Sequence, residues 1–536
     1  MSHAAEVETN KTTLAKKTFW DKIAIWSEWA SDYGNAILVK ETRQALKSKQ
    51  FVITFMLVLI ACWIISFFGV TLKGGNRIQY GETAKMFFLS YYIVLTAAVL
   101  VIVPFTAFRS LLQERELMTF DLLSITALKP RQIILGKLAS ALLQTLIYFS
   151  AIAPFIAFTS FLGGFDFAMT VFMLSLAFLL SIFYCTITLM VAAFIKNRIY
   201  QALLTIPILL GLIFQEFSIF GFLSASMNQG TSFFKDAEFW WGVSFALLVF
   251  VSYSILFLQI ATTQLTFASS NRSTAIRITC FVQFLLFWGS FIAVILYARS
   301  SFGVSGLSGV VLAAMTILPA IHLFVVGLFA TTEPNFLSRR IRRDLPKLMS
   351  VRTLSVPFMP GGSRGFIYIV SQVIFMGVIS SGLWKLFGAG RGHEVFQFIL
   401  LLCSYLIIFF SFSTLLSRWG EKISGDLRPG HIRALALVAL AGCSIIPAFV
   451  FLFYEIIGGS PQRFSLIDGI SPFYTLTYAL DPTSSHSQLS NTISMLCTFI
   501  PIFAVIGILF NLRPALNSIN EILFTKLKST SRHQTN

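Results

Sequence analysis

FVITFMLVLIACWIISFFGV, residues 51 to 70, holds no Asp, Glu, Lys, Arg or His. About 20 residues at roughly 1.5 Å of helical rise match the hydrocarbon layer of a bilayer, about 30 Å thick. Water is absent there, so each backbone N–H and C=O must be paired inside the segment, and a helix does this. The stretch therefore reads as a transmembrane helix, and similar stretches recur along the chain. They run over 86 to 108, 138 to 162, 167 to 195, 201 to 223, 240 to 260, 280 to 298, 306 to 330, 366 to 387, 396 to 416, 432 to 457 and 493 to 510. The expected fold is an all-α polytopic transmembrane helical bundle of about twelve spans. Composition agrees: 56% of the 536 residues are hydrophobic and 57 are Phe, with a mean hydropathy of +0.79, far from that of soluble domains.

The loops set the orientation. With the N-terminus in the cytoplasm, 32 of the 40 Lys and Arg residues fall in cytoplasmic segments, which favours an even number of spans and both termini inside. Most of the net charge of +17 then faces an anionic cytoplasmic leaflet, and no nucleic-acid partner is needed to explain it. The first 50 residues carry no apolar stretch of the signal-peptide kind, so the first span is expected to serve as its own insertion signal. Cys62, Cys185, Cys280, Cys403, Cys443 and Cys497 all fall in expected spans, without CxxC spacing, which points to neither a disulfide framework nor a zinc site.

The chain divides into a cytoplasmic segment 1–50, a six-span region 51–260, a linker 261–279, a second six-span region 280–510 and a tail 511–536. In the first of these, FWDKIAIWSEWA places Phe19, Ile23, Trp26 and Ala30 on one helical face, ahead of Lys40, Arg43, Lys47 and Lys49. It reads as an amphipathic helix in the membrane interface or as simple juxtamembrane anchoring. The loop 331–365 holds, in the second region, the place that 109–137 holds in the first, without any residue-level repeat.

QERELMTFDLLSITALKPRQIILGKL, residues 113 to 138, is the charged exception among the apolar runs. Read as a helix, 111 to 123 sets Glu114, Met118 and Asp121 on one stripe. Lys129-Pro130 ends that helix, and a second begins toward the third span. The segment resembles the first cytoplasmic loop of ABC-2 type transporter permeases through Glu114, Glu116, Thr119, Asp121, Leu122, Leu123, Thr126, Leu128, Pro130, Gly136 and Lys137. Met118 and Ala127 stand where that family commonly has Gly and Pro, and Ala36 where Pro is common. The resemblance covers about residues 34 to 260. It implies the membrane subunit of an ATP-driven transporter, most often an exporter, with this loop as the coupling helix that meets a separate ATP-binding cassette ATPase. The partner would use the ATP and Mg; this chain would bind no cofactor. A bacterial cytoplasmic (inner) membrane is the expected location. Whether twelve spans complete a pathway, or a second copy or second permease must join them, stays open.

Other motifs are absent. There is no GxxxxGK[ST] phosphate loop, since Gly136-Lys137 lacks the upstream glycine, and no HExxH. GGSRG at 361–365 reads as a turn. Ionisable residues inside spans are expensive and therefore candidates for function. Gln215 with Glu216 in the fifth span and His322 in the eighth are the candidates for a transport pathway, with Glu455 closer to a membrane surface. Two other classes compete with the permease reading: a self-powered secondary transporter, which would need paired broken helices, and a membrane-embedded transferase, for which the first outside loop offers only Glu82 as an acid.

Overall fold

The structure, a computed structural model, describes residues 36–72, 80–116, 129–161, 166–195, 198–229, 232–267, 269–302, 309–387, 392–423, 428–456, 466–480 and 487–524. The amphipathic stretch at 19–30 and Glu82's side chain lie outside the described residues. Among those described there is no strand, and twelve helices are long and apolar enough to cross a membrane. The all-α architecture expected from the sequence is what folds, with helices of the length and hydropathy that spanning a bilayer requires. The chain forms two compact units that divide between Thr266 and Phe267.

In the first unit a short amphipathic helix α1 (Ala36–Lys47) precedes α2 (Lys49–Leu72). Ser48 separates them, its Oγ accepting the Phe51 N–H at 3.1 Å as an N-cap does. The second span is α3 (Tyr80–Thr96), which passes through a π turn (Ala97–Ile102) into α4 (Val103–Glu116). Then come α5 (Pro130–Phe161), α6 (Phe167–Phe194), α7 (Arg198–Gln229) and α8 (Ala237–Leu265). Pro130 sits at the first position of α5, where its missing N–H costs nothing, and the Lys129 N–H is taken by Gln132 Oε1 at 2.9 Å.

Apolar burial cannot hold helices together in a lipid solvent as it does in water, so interhelical hydrogen bonds and close packing carry more of the association. Tyr91 and Ser66 join α3 to α2 at 2.8 Å, and Tyr148 and Thr54 join α5 to α2 at 2.8 Å. Tyr92 donates to the Met173 carbonyl of α6 at 3.0 Å, and Thr145 meets Ser181 at 3.0 Å between α5 and α6. Around these bonds pack Phe88, Leu95, Val99, Phe108, Ile152 and Leu189. The second span and α6 are half buried within the unit, whereas α7 and α8 keep most of their surface exposed.

The second unit holds α9 (Thr274–Phe302), α10 (Gly309–Thr331), two short helices α11 (Arg339–Arg343) and α12 (Met349–Ser355), then α13 (Gly362–Phe387), α14 (Gly392–Ile423) and α15 (Pro429–Ile456). A short α16 (Pro472–Ala479) and the long α17 (Ser487–Leu523) close it. The last apolar stretch, read as 493 to 510, is thus only the middle of a longer helix. Backbone hydrogen bonds continue past the hydrocarbon edge, and hydropathy does not register them. α14 is central, packed against α10, α13, α15 and α17, and Phe284, Leu323, Ile369, Phe398, Leu401 and Phe410 fill the core around it.

Candidate functional site

At the end of the first unit that carries α1, three helices meet through charge. Lys137 of α5 is almost completely buried; its Nζ lies 3.0 Å from Glu41 Oε1 of α1 and 3.2 Å from Glu114 Oε1 of α4. Ser110 of α4 accepts from Lys137 Nζ at 2.7 Å and donates to Glu41 Oε2 at 2.9 Å. Lys40 adds a half-exposed cation 3.6 Å from Glu114. Two carboxylates and two ammonium groups balance, and a buried ion cluster is tolerable only when it is balanced and hydrogen-bonded. Burial, the largest single influence, disfavours the Glu41 carboxylate, but the charge and hydrogen bond of Lys137, the Ser110 hydroxyl and Lys40 together outweigh it and hold Glu41 below its ordinary pKa of 4.5.

Two residues of the charged segment, Glu114 and Lys137, are therefore brought together and tied to α1. Glu116 is the last residue of α4 and Pro130 the first of α5. Gly136 is buried beside Lys137. Thr119, Asp121, Leu122, Leu123 and Thr126 lie outside the described residues, as does Leu128. Glu41 and Ser110 were not expected from sequence. The pattern N-x-x-L-x-K-E that holds Glu41 marks an amphipathic helix, but nothing in it pairs this acid with a lysine 96 residues later.

A second polar site lies in the apolar part of the same unit. Thr96, the last α-helical residue before the π turn, donates its hydroxyl to Glu216 Oε1 of α7. Among the described residues, the other carboxylate oxygen of Glu216 is buried without a hydrogen-bond partner, as are both Oε1 and Nε2 of Gln215. Tyr92 and Tyr184 stand within electrostatic reach of the carboxylate. Buried polar atoms left unsatisfied cost about 1–3 kcal/mol each, and single-turn π bulges occur frequently at functional sites. The expectation placed Gln215 and Glu216 on the span; the structure adds their partner Thr96, which sequence reading missed because a π turn leaves no periodic signature in an all-apolar stretch.

His322 belongs to the second unit. It is buried between α10 and α9, its Nε2 3.3 Å from the Cys280 carbonyl and its ring edge-on to Phe287. Glu455 lies in α15 near its end. The larger charged feature of this unit is one that sequence reading left out. Segment 332–361 folds back on the bundle end as a cap, with Leu337, Ile341, Leu345, Val356 and Met359 packed on Ile522 of α17. Arg277, buried at the start of α9, donates to the carbonyls of Pro357, Gly361 and Ala330 at 3.0, 3.1 and 3.3 Å and to Glu333 Oε2 at 2.6 Å. Arg364, fully buried at the start of α13, pairs with Glu521 Oε2 of α17 at 2.8 Å, and Arg342 takes Glu521 Oε1 at 2.7 Å. The usable signal was an arginine within the first turn of two apolar helices, where a charge survives only with a partner.

GGSRG is the joint of this cap. Gly361 has φ of +127°, a conformation that residues with a Cβ rarely adopt, so the expected turn is present at that residue. Gly362 to Gly365 instead begin α13, and a Cβ on Gly365 would sit 2.0 Å from the Ala330 carbonyl oxygen. Among the described residues no group of three or more His, Cys, Asp or Glu side chains is placed to hold a metal ion. Compared with known protein families, curated proteins and solved structures, the chain matches none.

Proposed function

We propose that the chain is the membrane subunit of an ATP-driven transporter of ABC-2 type, an exporter of the bacterial cytoplasmic membrane, driven by a separate ATP-binding cassette subunit. The observation that carries this reading is the Glu41–Lys137–Glu114 cluster. It closes the base of the charged segment and ties it to three helices, α1, α4 and α5. A push on residues 117–129 by a closing ATPase is thereby delivered to all three helices together. Such a linkage is what a coupling segment requires, since a displacement passes only through elements packed rigidly enough to transmit it.

In this reading Glu114 and Lys137 hold the segment, while Glu116, Thr119, Asp121, Leu122, Leu123 and Thr126 supply the docking face. The test leaves the buried cluster intact. Glu116→Lys with Asp121→Lys is expected to lose the co-purifying ATPase without lowering the melting temperature of the chain. Retention of the ATPase with unchanged stimulation of its ATP hydrolysis would sink the assignment. A self-powered secondary transporter is the reading that the mid-span carboxylate of Glu216 favours. It calls for uptake or efflux that follows an ion gradient and persists when the ATPase partner is absent.

A further inference from the structure

Thr96, Glu216 and the adjacent Gln215 place polar side-chain atoms in an apolar part of the first unit. Thr96 satisfies one carboxylate oxygen of Glu216. Among the described residues the second oxygen is buried without a hydrogen-bond partner, and so are both polar atoms of the adjacent Gln215 amide. These atoms comprise two acceptor oxygens, one of them from a carboxyl group, and one donor. Tyr92 and Tyr184 stand within electrostatic reach of the carboxylate.

The surroundings say how such a group would arrive. On α7 the residues on either side, Phe214 and Phe217, are 73% and 70% exposed. Glu216 stands 15 positions into the 25-residue apolar part of that helix, Gln201–Ala225, hence well inside the hydrocarbon. A hydrophilic cation has no route to that depth through lipid, whereas an ammonium carried on an apolar body does.

We propose that Glu216 and Gln215, with Thr96 orienting the carboxylate, form an intramembrane binding site for the ammonium group of an amphiphilic amine entering from the bilayer. The ammonium donates to Glu216 Oε2 and Gln215 Oε1. The apolar body lies along the phenylalanines of α7. This site gives the transport reading a substrate class, yet its occupancy requires no ATPase.

The experiment uses the full chain in zwitterionic nanodiscs, without any ATPase, titrated with 4-phenylbutylammonium and followed by calorimetry against empty discs. Saturable binding is expected. Neutral 4-phenylbutanol, which has the same apolar body, should not compete. Glu216→Gln keeps the acceptor for Thr96 and removes the charge, and should weaken binding at least about tenfold, equivalent to about 1.4 kcal/mol. Gln215→Leu leaves the carboxylate and its Thr96 bond in place and should weaken it by about three- to tenfold, so the test stands even where Glu216→Gln folds poorly. Absence of saturable binding to the wild type, equal competition by the alcohol, or wild-type affinity in both variants overturns the proposal. Loss of the coupling assignment leaves this result untouched, because no step of the titration involves ATP.

Discussion

Lys137 shows how one residue can serve two descriptions. In the sequence it is part of a Gly-Lys pair leading into an apolar run; in the fold it is the buried cation on which two carboxylates from other helices converge. Removing one member of a buried ion cluster typically costs about 3–5 kcal/mol, because the orphaned charges stay buried. Lys137→Met is therefore expected to lower the denaturation midpoint strongly. Adding Glu41→Gln to it should recover part of the loss, since one orphan is gone, and tryptophan fluorescence during unfolding would read both. Acid should act through the same cluster. Glu41 is held below 4.5 in the fold, so its contribution is complete above its unfolded pKa and lost as pH falls through the depressed one. The gap in melting temperature between wild type and Glu41→Gln should stay constant from about pH 7 to about pH 5 and narrow below that. A gap that narrows on raising the pH would contradict the assignment. The identities of Glu114 and Lys137 were legible from the sequence, but their mutual contact was not, because it depends on α1 packing beside α4 and α5.

At the scale of elements, Gly365 is the most sharply constrained joint. Its Cα faces the Ala330 carbonyl so closely that an added methyl would lie at 2.0 Å from backbone oxygen, which cannot rotate away as a side chain can. Gly365→Ala should force α13 away from α10 and destabilise the second unit by at least the about 1–3 kcal/mol typical of overpacking. Gly382→Ala, on the same helix with open space around it, is the matched control and should leave the melting temperature unchanged or slightly raised. The long apolar helices were readable because about 20 uncharged residues permit little else in a membrane. The cap at 332–361 was not, because its buried apolar residues Leu337, Ile341, Leu345, Val356 and Met359 lie mostly outside its two short helices, in no periodic pattern, and find their core on Ile522 and Ile519 of α17. GGSRG was readable as a break in the chain but not as a helix crossing, since contact distance between backbones is a property of the fold.

For the whole molecule, the division at Thr266 and Phe267 falls inside the linker that the loop pattern had suggested at 261–279. Each unit has its own apolar core and its own charged closure, Lys137 in one and Arg277 with Arg364 in the other. A protease site inserted between Phe267 and Ala268 should therefore yield two membrane-retained fragments, each still resistant to further digestion. Rapid loss of either one after the cut would argue that it has no stability of its own. One feature of the first unit reaches further than its size suggests. The π turn at Ala97–Ile102 stores one residue more than an α-helix of the same span needs, which gives the second span torsional slack. If the wide turn migrates a step toward Tyr92, the residues it passes turn by about 100° while both ends of the helix keep their places. Thr96 would swing off Glu216 while Glu114 stays on Lys137, so the grip on a ligand could be released in the middle of the membrane without loosening the helix at its base.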